Sequence, residues 1–320
     1  LEFRDGRHDA NYVEWKYFNF VSTNFAGYII YYLIDPEQRT RWGGGRLLAR
    51  VFRYSDGMSF GGIQKIPTGN IVLDSLDADI DMNKGKIIED NPHHYRVSGM
   101  LKDISWNVVY TQAAPMIEPF TNINPGIMRW ERINWLVKMP RARVDGTIRI
   151  AGEKFNIEGT GYSDTNWGEI APLVSLYEWG QYSENGFSFV FGYIHKLVGF
   201  SLGYCYIILD GHVVELKNPK FSIRHTAWTR DISVNMRIPE KTEFIIEGSN
   251  VSLTFSAELM HHDILALKIS HVLPKSVLLE CVVRYRGILT QAGHVVAEFN
   301  GVGFYEWSTR SWKRNFSLVF

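Results

Sequence analysis

Alternation with a period of two dominates the chain. Tyr12 to Val21 (YVEWKYFNFV) and Gly27 to Ile34 (GYIIYYLI) are aromatic and β-branched runs of strand length. Runs of the same kind occur at Gly146 to Ile150, Lys154 to Ile157, Phe187 to Ile194, Gly203 to Leu209, Glu243 to Glu247, Val251 to Ala257, Val277 to Tyr285 and Val295 to Phe299. Turn-forming dipeptides bound them: Asp56-Gly57, Thr68-Gly69, Asp145-Gly146, Asn185-Gly186, Asp210-Gly211 and Ala292-Gly293. No amphipathic helical stretch exceeds about three turns. Many short strands with frequent turns predict an all-β sandwich or barrel.

A repeat adds organisation. Gly146 to Trp167 (GTIRIAGEKFNIEGTGYSDTNW) and Gly287 to Trp307 (GILTQAGHVVAEFNGVGFYEW) both give a strand, an Ala-Gly turn and a second strand. Each then closes on Gly-x-Gly-aromatic-x-acid ahead of a Trp, with Gly159, Gly161, Tyr162 and Asp164 matching Gly301, Gly303, Phe304 and Glu306. Their separation of about 140 residues is far longer than a solenoid period. Two related β-domains in tandem are therefore expected, 1–185 and 186–320, with the boundary near Asn185.

Composition narrows the function classes. The 10 Trp, 16 Tyr and 19 Phe make 14% aromatics, which suits a β-rich fold, a large apolar cavity, or both. Lys plus Arg and Asp plus Glu are 34 each, so no global field attracts nucleic acid, and no nucleic-acid partner is expected. Cys205 and Cys281 are too few for a disulfide scaffold or a multi-cysteine zinc site; they read as buried thiols, with one disulfide as the alternative. No apolar run reaches the roughly 18 residues of a membrane-spanning helix, so no integral membrane segment is expected. The start, Leu-Glu-Phe-Arg-Asp-Gly, does not read as a signal peptide. Cytoplasmic is the default location, and a signal peptide removed by processing is compatible with the same sequence.

Candidate chemistry concentrates in Gly159 to Gly180 (GTGYSDTNWGEIAPLVSLYEWG). Gly159 and Gly161 suit a barrel corner, and Asp164 and Asn166 can tie loop amides together. Equally, Asp164, Asn166, Trp167, Glu178 and Trp179 can rim an apolar cavity and orient a greasy ligand. His93-His94 and His261-His262-Asp263 are poor chelates, because neighbours on a strand face opposite ways. Trp42-Gly43-Gly44-Gly45-Arg46 lacks the strand–helix context of a phosphate loop and reads as a flexible loop. Asn124 to Arg132 reads as a lid or a tight turn.

Tyr162 to Trp167, with its glycines, resembles the Gly-x-Gly-Tyr-x-Asp-His-Asn-Trp-Gly motif of one lipocalin-like family. That family holds carotenoid hydratases (hydroxyneurosporene synthase) and AttH-type proteins, with tocopherol cyclase and fungal decalin-forming Diels–Alderases as distant relatives. Glu14-Trp15-Lys16-Tyr17-Phe18 is similar to its N-terminal Glu-Trp-Trp-Tyr-Phe, and Gly301-x-Gly303-Phe304-x-Glu306 to its closing Gly-x-Gly-Tyr-x-Glu. The resemblance implies two tandem lipocalin-like β-barrel or sandwich domains, an apolar pocket, and chemistry on polyenes or isoprenoids without redox cofactor. The family's His is Thr165 here. The functional Tyr and Asp further downstream in the hydratases fall on Tyr193-Ile194-His195, with His195 where an acid is expected. Alkene hydration is thereby put in doubt, whereas a cyclase or pericyclase needs only to fold its substrate and polarise one group.

The expectation is a cyclase or isomerase (terpenoid cyclisation or a Diels–Alder-type reaction) acting on a lipophilic small molecule, with no cofactor. A non-catalytic carrier of a hydrophobic molecule, a hydratase of an isoprenoid double bond and a carbohydrate-binding or structural β-protein are the alternatives. The expected catalytic residues are Asp164, Tyr193 and His195. Trp15, Tyr17, Asn166, Trp167, Glu178, Trp179 and Phe191 are the expected substrate-binding residues, and no metal ligands are expected. Phe191, Tyr193 and His195 should share one wall of the pocket.

Overall fold

The computed structural model describes residues 12–35, 43–73, 79–123, 133–169, 176–184, 186–195, 201–216, 218–233, 235–267 and 275–311. The chain divides into two units, Leu1–Ala171 and Pro172–Phe320. The boundary expected at 185 falls outside the described residues. Tyr177–Glu184, just before it, already pairs within the second unit.

The first unit holds β1 (Tyr12–Ser22), β2 (Phe25–Ile34), β3 (Gly44–Arg53), β4 (Ser59–Ile66), β5 (Val72–Leu73) and β6 (Ile80–Asp81). These are followed by β7 (Gly85–Asn91), β8 (His94–Leu101), β9 (Ile104–Gln112), β10 (Ile117–Ile123), β11 (Ile133–Ile150) and β12 (Glu153–Glu169). They form one antiparallel sheet in the order β4-β3-β2-β1-β12-β11-β9-β8-β7-β6-β5, with β10 also on β11. The sheet curls: the Gly61 amide on β4 donates to Asp103 Oδ1, in the β8–β9 turn, over 2.9 Å. Phe18, Tyr31, Leu47, Val97, Trp106, Tyr110 and Val144 belong to its apolar core.

The second unit holds β13 (Tyr177–Glu184), β14 (Phe187–Ile194), β15 (Leu202–Leu209), β16 (His212–Leu216), β17 (Lys220–Asp231), β18 (Met236–Glu247), β19 (Val251–Leu267), β20 (Lys275–Gln291) and β21 (His294–Ser311). Its sheet order is β16-β15-β14-β13-β21-β20-β19-β18-β17. This sheet curls too, since Phe221 on β17 meets Tyr193 on β14 at 4.8 Å between ring centroids. Phe189, Phe191, Phe244, Phe255, Tyr285 and Phe299 fill the interior with tilted, stacked and edge-on contacts. Each such ring contributes about 1.5–3 kcal/mol by burial alone.

The fold is all-β, as two lipocalin-like units, and its repeat extends beyond the motif. β1 to β4 match β13 to β16 in order, and β12 matches β21. The Ala-Gly turns match as well: Ala151 and Gly152 (φ 49° and 91°) join β11 to β12, and Ala292 and Gly293 (φ 49° and 82°) join β20 to β21. Positive φ at both central residues is what a tight hairpin needs for its twist. A Cβ on Gly161 would sit 2.6 Å from Asn19 O, and one on Gly303 2.4 Å from Gln181 O. Both glycines thus admit the close approach of the neighbouring strand.

Two local expectations are corrected. Asp145-Gly146 is no turn but the middle of β11, where Gly146 pairs with both Val108 and Ile157. The glycine serves the approach of β9, since a Cβ would lie 2.3 Å from Asn107 O. Gly44 to Arg46 open β3 instead of forming a loop, because Tyr32, Leu33 and Ile34 supply a complete partner strand. The segment 124–132 lies outside the described residues, so its lid reading stays an expectation.

Candidate functional site

Strand pairing in the second unit builds a polar cluster onto one end of the aromatic core. Glu178 on β13 is the register partner of Tyr193 on β14 and of Trp307 on β21. With side chains alternating, these share a face with Phe191 and Tyr305, which belong to the core. Glu178 is 1% exposed and its carboxylate is held from several sides. Tyr305 donates its O–H to Oε2 over 2.5 Å, and His195 Nε2 lies 2.8 Å from Oε1. His225 Nε2 lies 3.9 Å from the same Oε1. Thr242 Oγ1 is 2.9 Å from His225 Nδ1.

Aromatic rings enclose this group. The His225 ring meets Trp228 at 5.2 Å and Trp307 at 5.7 Å, and the Tyr193 ring stands edge-on to His195 at 4.9 Å. His195 is the outward member, with 38% of its side chain exposed.

The electrostatics follow from burial. Loss of water, reinforced by the Glu178 charge, pushes the Tyr305 phenol well above its usual value, so it stays a donor. Burial lowers His225, against the opposing pull of Glu178, and keeps it neutral near pH 7. The network assigns Nε2–H of His195 to Glu178, leaving Nδ1 as an acceptor. An imidazole oriented by a buried carboxylate can take a proton at Nδ1, and the carboxylate stabilises the resulting imidazolium.

The first unit gives its predicted residues a different arrangement. Asp164 is buried and accepts from Tyr162 O–H at 2.7 Å, Trp135 Nε1–H at 2.8 Å and Asn166 Nδ2–H at 3.2 Å. Such a carboxylate is committed to holding β11 and β12 in place. Tyr17 is the register partner of Asp164 and stacks on Tyr28 at 6.4 Å, while Trp15 stacks on Tyr32 at 5.6 Å. Since Phe18 faces the core, Tyr17 and Asp164 lie on the opposite face of the sheet.

Trp167 pairs with Glu14 and so lies on the core-facing side, with Lys16 and Thr165. Trp179 pairs with Glu306 on the face of the second sheet away from Glu178. The structure thus brings Glu178, Phe191, Tyr193 and His195 together in one cluster. Trp15, Tyr17, Asp164 and Asn166 group on another face, Trp167 stands on the core side of the first sheet, and Trp179 stands apart from Glu178.

Sequence reasoning missed Tyr305, His225 and Thr242. The clue for His225 was its alternation with Phe221 and Ile223, opposite Ser222, Arg224 and Thr226. The histidine pairs spend themselves on acids: His94 with Asp90 at 2.9 Å, and His262 with Asp231 at 2.7 Å. Cys205 and Cys281 are buried free thiols. No helix among the described residues is long and apolar enough to cross a membrane.

No family model and no curated protein sequence matches the chain. Solved structures do. A putative AttH from Nitrosomonas europaea aligns with TM-score 0.66 at 16% identity, covering 97% of this chain and 96% of that one. CghA, also solved with Sch210972, aligns with TM-score 0.68 at 10% identity, covering 94% and 88%. Kievitone hydratase from Nectria haematococca aligns with TM-score 0.63 at 12% identity, covering 94% and 89%. The chain therefore has the two-unit lipocalin-like architecture of these proteins along nearly its full length.

Proposed function

We propose that the chain is a cofactor-independent cyclase or isomerase of a lipophilic polyene or isoprenoid, acting at the Glu178 cluster. The observation that carries this reading is a buried carboxylate, anchored by Tyr305, that holds a partly exposed imidazole beside an aromatic interior. An apolar chain would fold against the rings of Tyr193, Trp228 and Trp307. His195 would move or polarise a proton at one point of that chain, and Glu178 would stabilise the charge that develops. The architecture shared with a hydratase and with a protein solved bound to a small molecule is in keeping with this reading.

Product analysis tests it. The chain is incubated with a panel of linear polyenes and prenylated phenols in the presence of chelator. The reading predicts a product isomeric with its substrate, formed in proportion to enzyme. A product one water heavier would make the protein a hydratase. Saturable binding with every substrate recovered unchanged would make it a carrier.

A further inference from the structure

The end of the β17–β18 hairpin carries two arginines that no acid among the described residues neutralises. Arg230 and Arg237 are register partners across the hairpin. Like charges set directly opposite on paired strands destabilise the pairing, so the arrangement is costly unless an anion joins it. Other basic residues of the same two strands do have acids: Lys220 lies 3.8 Å from Glu247, and Lys241 lies 3.0 Å from Glu258. Asp231, the next residue in the chain, is taken by His262 and Ser233. Arg237 instead lays its guanidinium over the Trp228 ring at 5.1 Å.

These groups line a depression of about 560 Å³, formed by Trp228, Thr229, Arg230, Asn235, Met236 and Arg237. Two guanidinium forks beside the Trp228 indole suit an oxyanion carried on an apolar chain. The Trp228 indole also touches His225, as well as Trp307 at 5.8 Å. One indole therefore joins the basic depression to the Glu178 cluster.

We propose that the depression binds the oxyanion head, carboxylate or phosphate, of an amphiphile whose apolar chain runs over Trp228 toward His225. The proposal rests on the catalytic reading only for the direction of the chain.

Calorimetric titration tests it with dodecyl phosphate, laurate and dodecanol, each below its micelle concentration, against wild type, Arg230→Gln, Arg237→Gln and the double variant. Wild type should bind at least one anionic probe about tenfold or more tighter than dodecanol, less so as salt rises. The double variant should bind the anions no better than the alcohol, and should bind dodecanol as wild type does. Its unliganded melting temperature should change little, because relief of the repulsion offsets the lost contact of Arg237 with Trp228. Equal affinity for alcohol and anions in wild type, or undiminished anion binding by the folded double variant, would overturn the proposal.

Sedimentation with anionic vesicles separates the two sources of such a head. Capture by vesicles without binding of the monomeric amphiphiles would make the site a membrane contact and overturn the proposal in this form. Head-group-dependent binding without turnover of any polyene would leave this site standing and remove the catalytic reading. Turnover without head-group preference would do the reverse.

Discussion

Lys16 and Thr165 are register partners across β1 and β12, and the ammonium donates to Thr165 Oγ1 over 3.3 Å. They are also two positions where this chain departs from the motif it resembles: Lys16 stands for a Trp and Thr165 for a His. A cation and a hydroxyl here take the place of an indole and an imidazole. In the second unit the equivalent register positions are Glu178 and Trp307. The same place in the repeat thus carries a buried cation in one unit and a buried carboxylate in the other.

The Lys16 arrangement has a testable cost. Its Nζ lies 3.8 Å from Glu14 Oε1, and both side chains are almost fully buried. Lys16→Met keeps the bulk and deprives the buried Glu14 of its cation, so it should destabilise the protein by about 3 kcal/mol in urea unfolding. Lys16→Met with Glu14→Gln should lose clearly less, because Gln still accepts from Tyr12 O–H without a charge to compensate. A double variant as unstable as the sum of the two single variants would contradict the pairing.

His225 sets a pH dependence of stability. Burial depresses its folded pKa below the unfolded value of 6.5. Above that value both states are neutral and the residue is indifferent. As pH falls below 6.5 the unfolded chain takes up a proton first, so stability declines until the folded pKa is reached. His225→Gln should flatten this part of the stability–pH curve. An unchanged slope in the variant would assign the decline elsewhere.

Glu306 works in the opposite direction. Burial raises its carboxyl, while Glu280, its register partner, and Tyr177, which donates over 2.8 Å, pull it down. The unfolded chain therefore ionises first as pH rises through about 4.5, and stability is lost up to the folded pKa. Glu306→Gln keeps an acceptor for Tyr177 and should be more stable than wild type at pH 7, with the gain shrinking as pH falls toward 4.5 and absent below it. Loss of stability at pH 7 would show that the carboxylate is needed there.

Much of this was legible in the chain. Period-two runs and the paired Ala-Gly turns marked the all-β repeat, because hairpin chemistry is local. β3, β4 and the strands from Gly85 to Gln112 were harder to read: glycines and charged residues interrupt their alternation, and it is pairing with their neighbours that makes them strands. The shared face of Phe191, Tyr193 and His195 followed from alternation along the chain, whereas the place of Glu178 beside them comes from the pairing of β13 with β14. Nor were the roles of Tyr305 and His225 legible, because they reach Glu178 from strands far away in sequence. Asp164 looked reactive as a motif acid, and only the structure shows that its oxygens are occupied by Tyr162, Trp135 and Asn166.

The central claim is that His195, held by Glu178, acts on the bound molecule. The direct measurement is kcat against pH for the best polyene substrate, with wild type, His195→Gln, His195→Phe and Glu178→Gln, each checked for folding. The account predicts that His195→Phe loses tenfold or more, which corresponds to at least 1.4 kcal/mol of transition-state stabilisation. His195→Gln, which retains a donor, should keep more activity than His195→Phe, and Glu178→Gln should fall between wild type and His195→Phe. Unchanged rates and pH profiles in both folded His195 variants would contradict it and leave His195 as part of the scaffold.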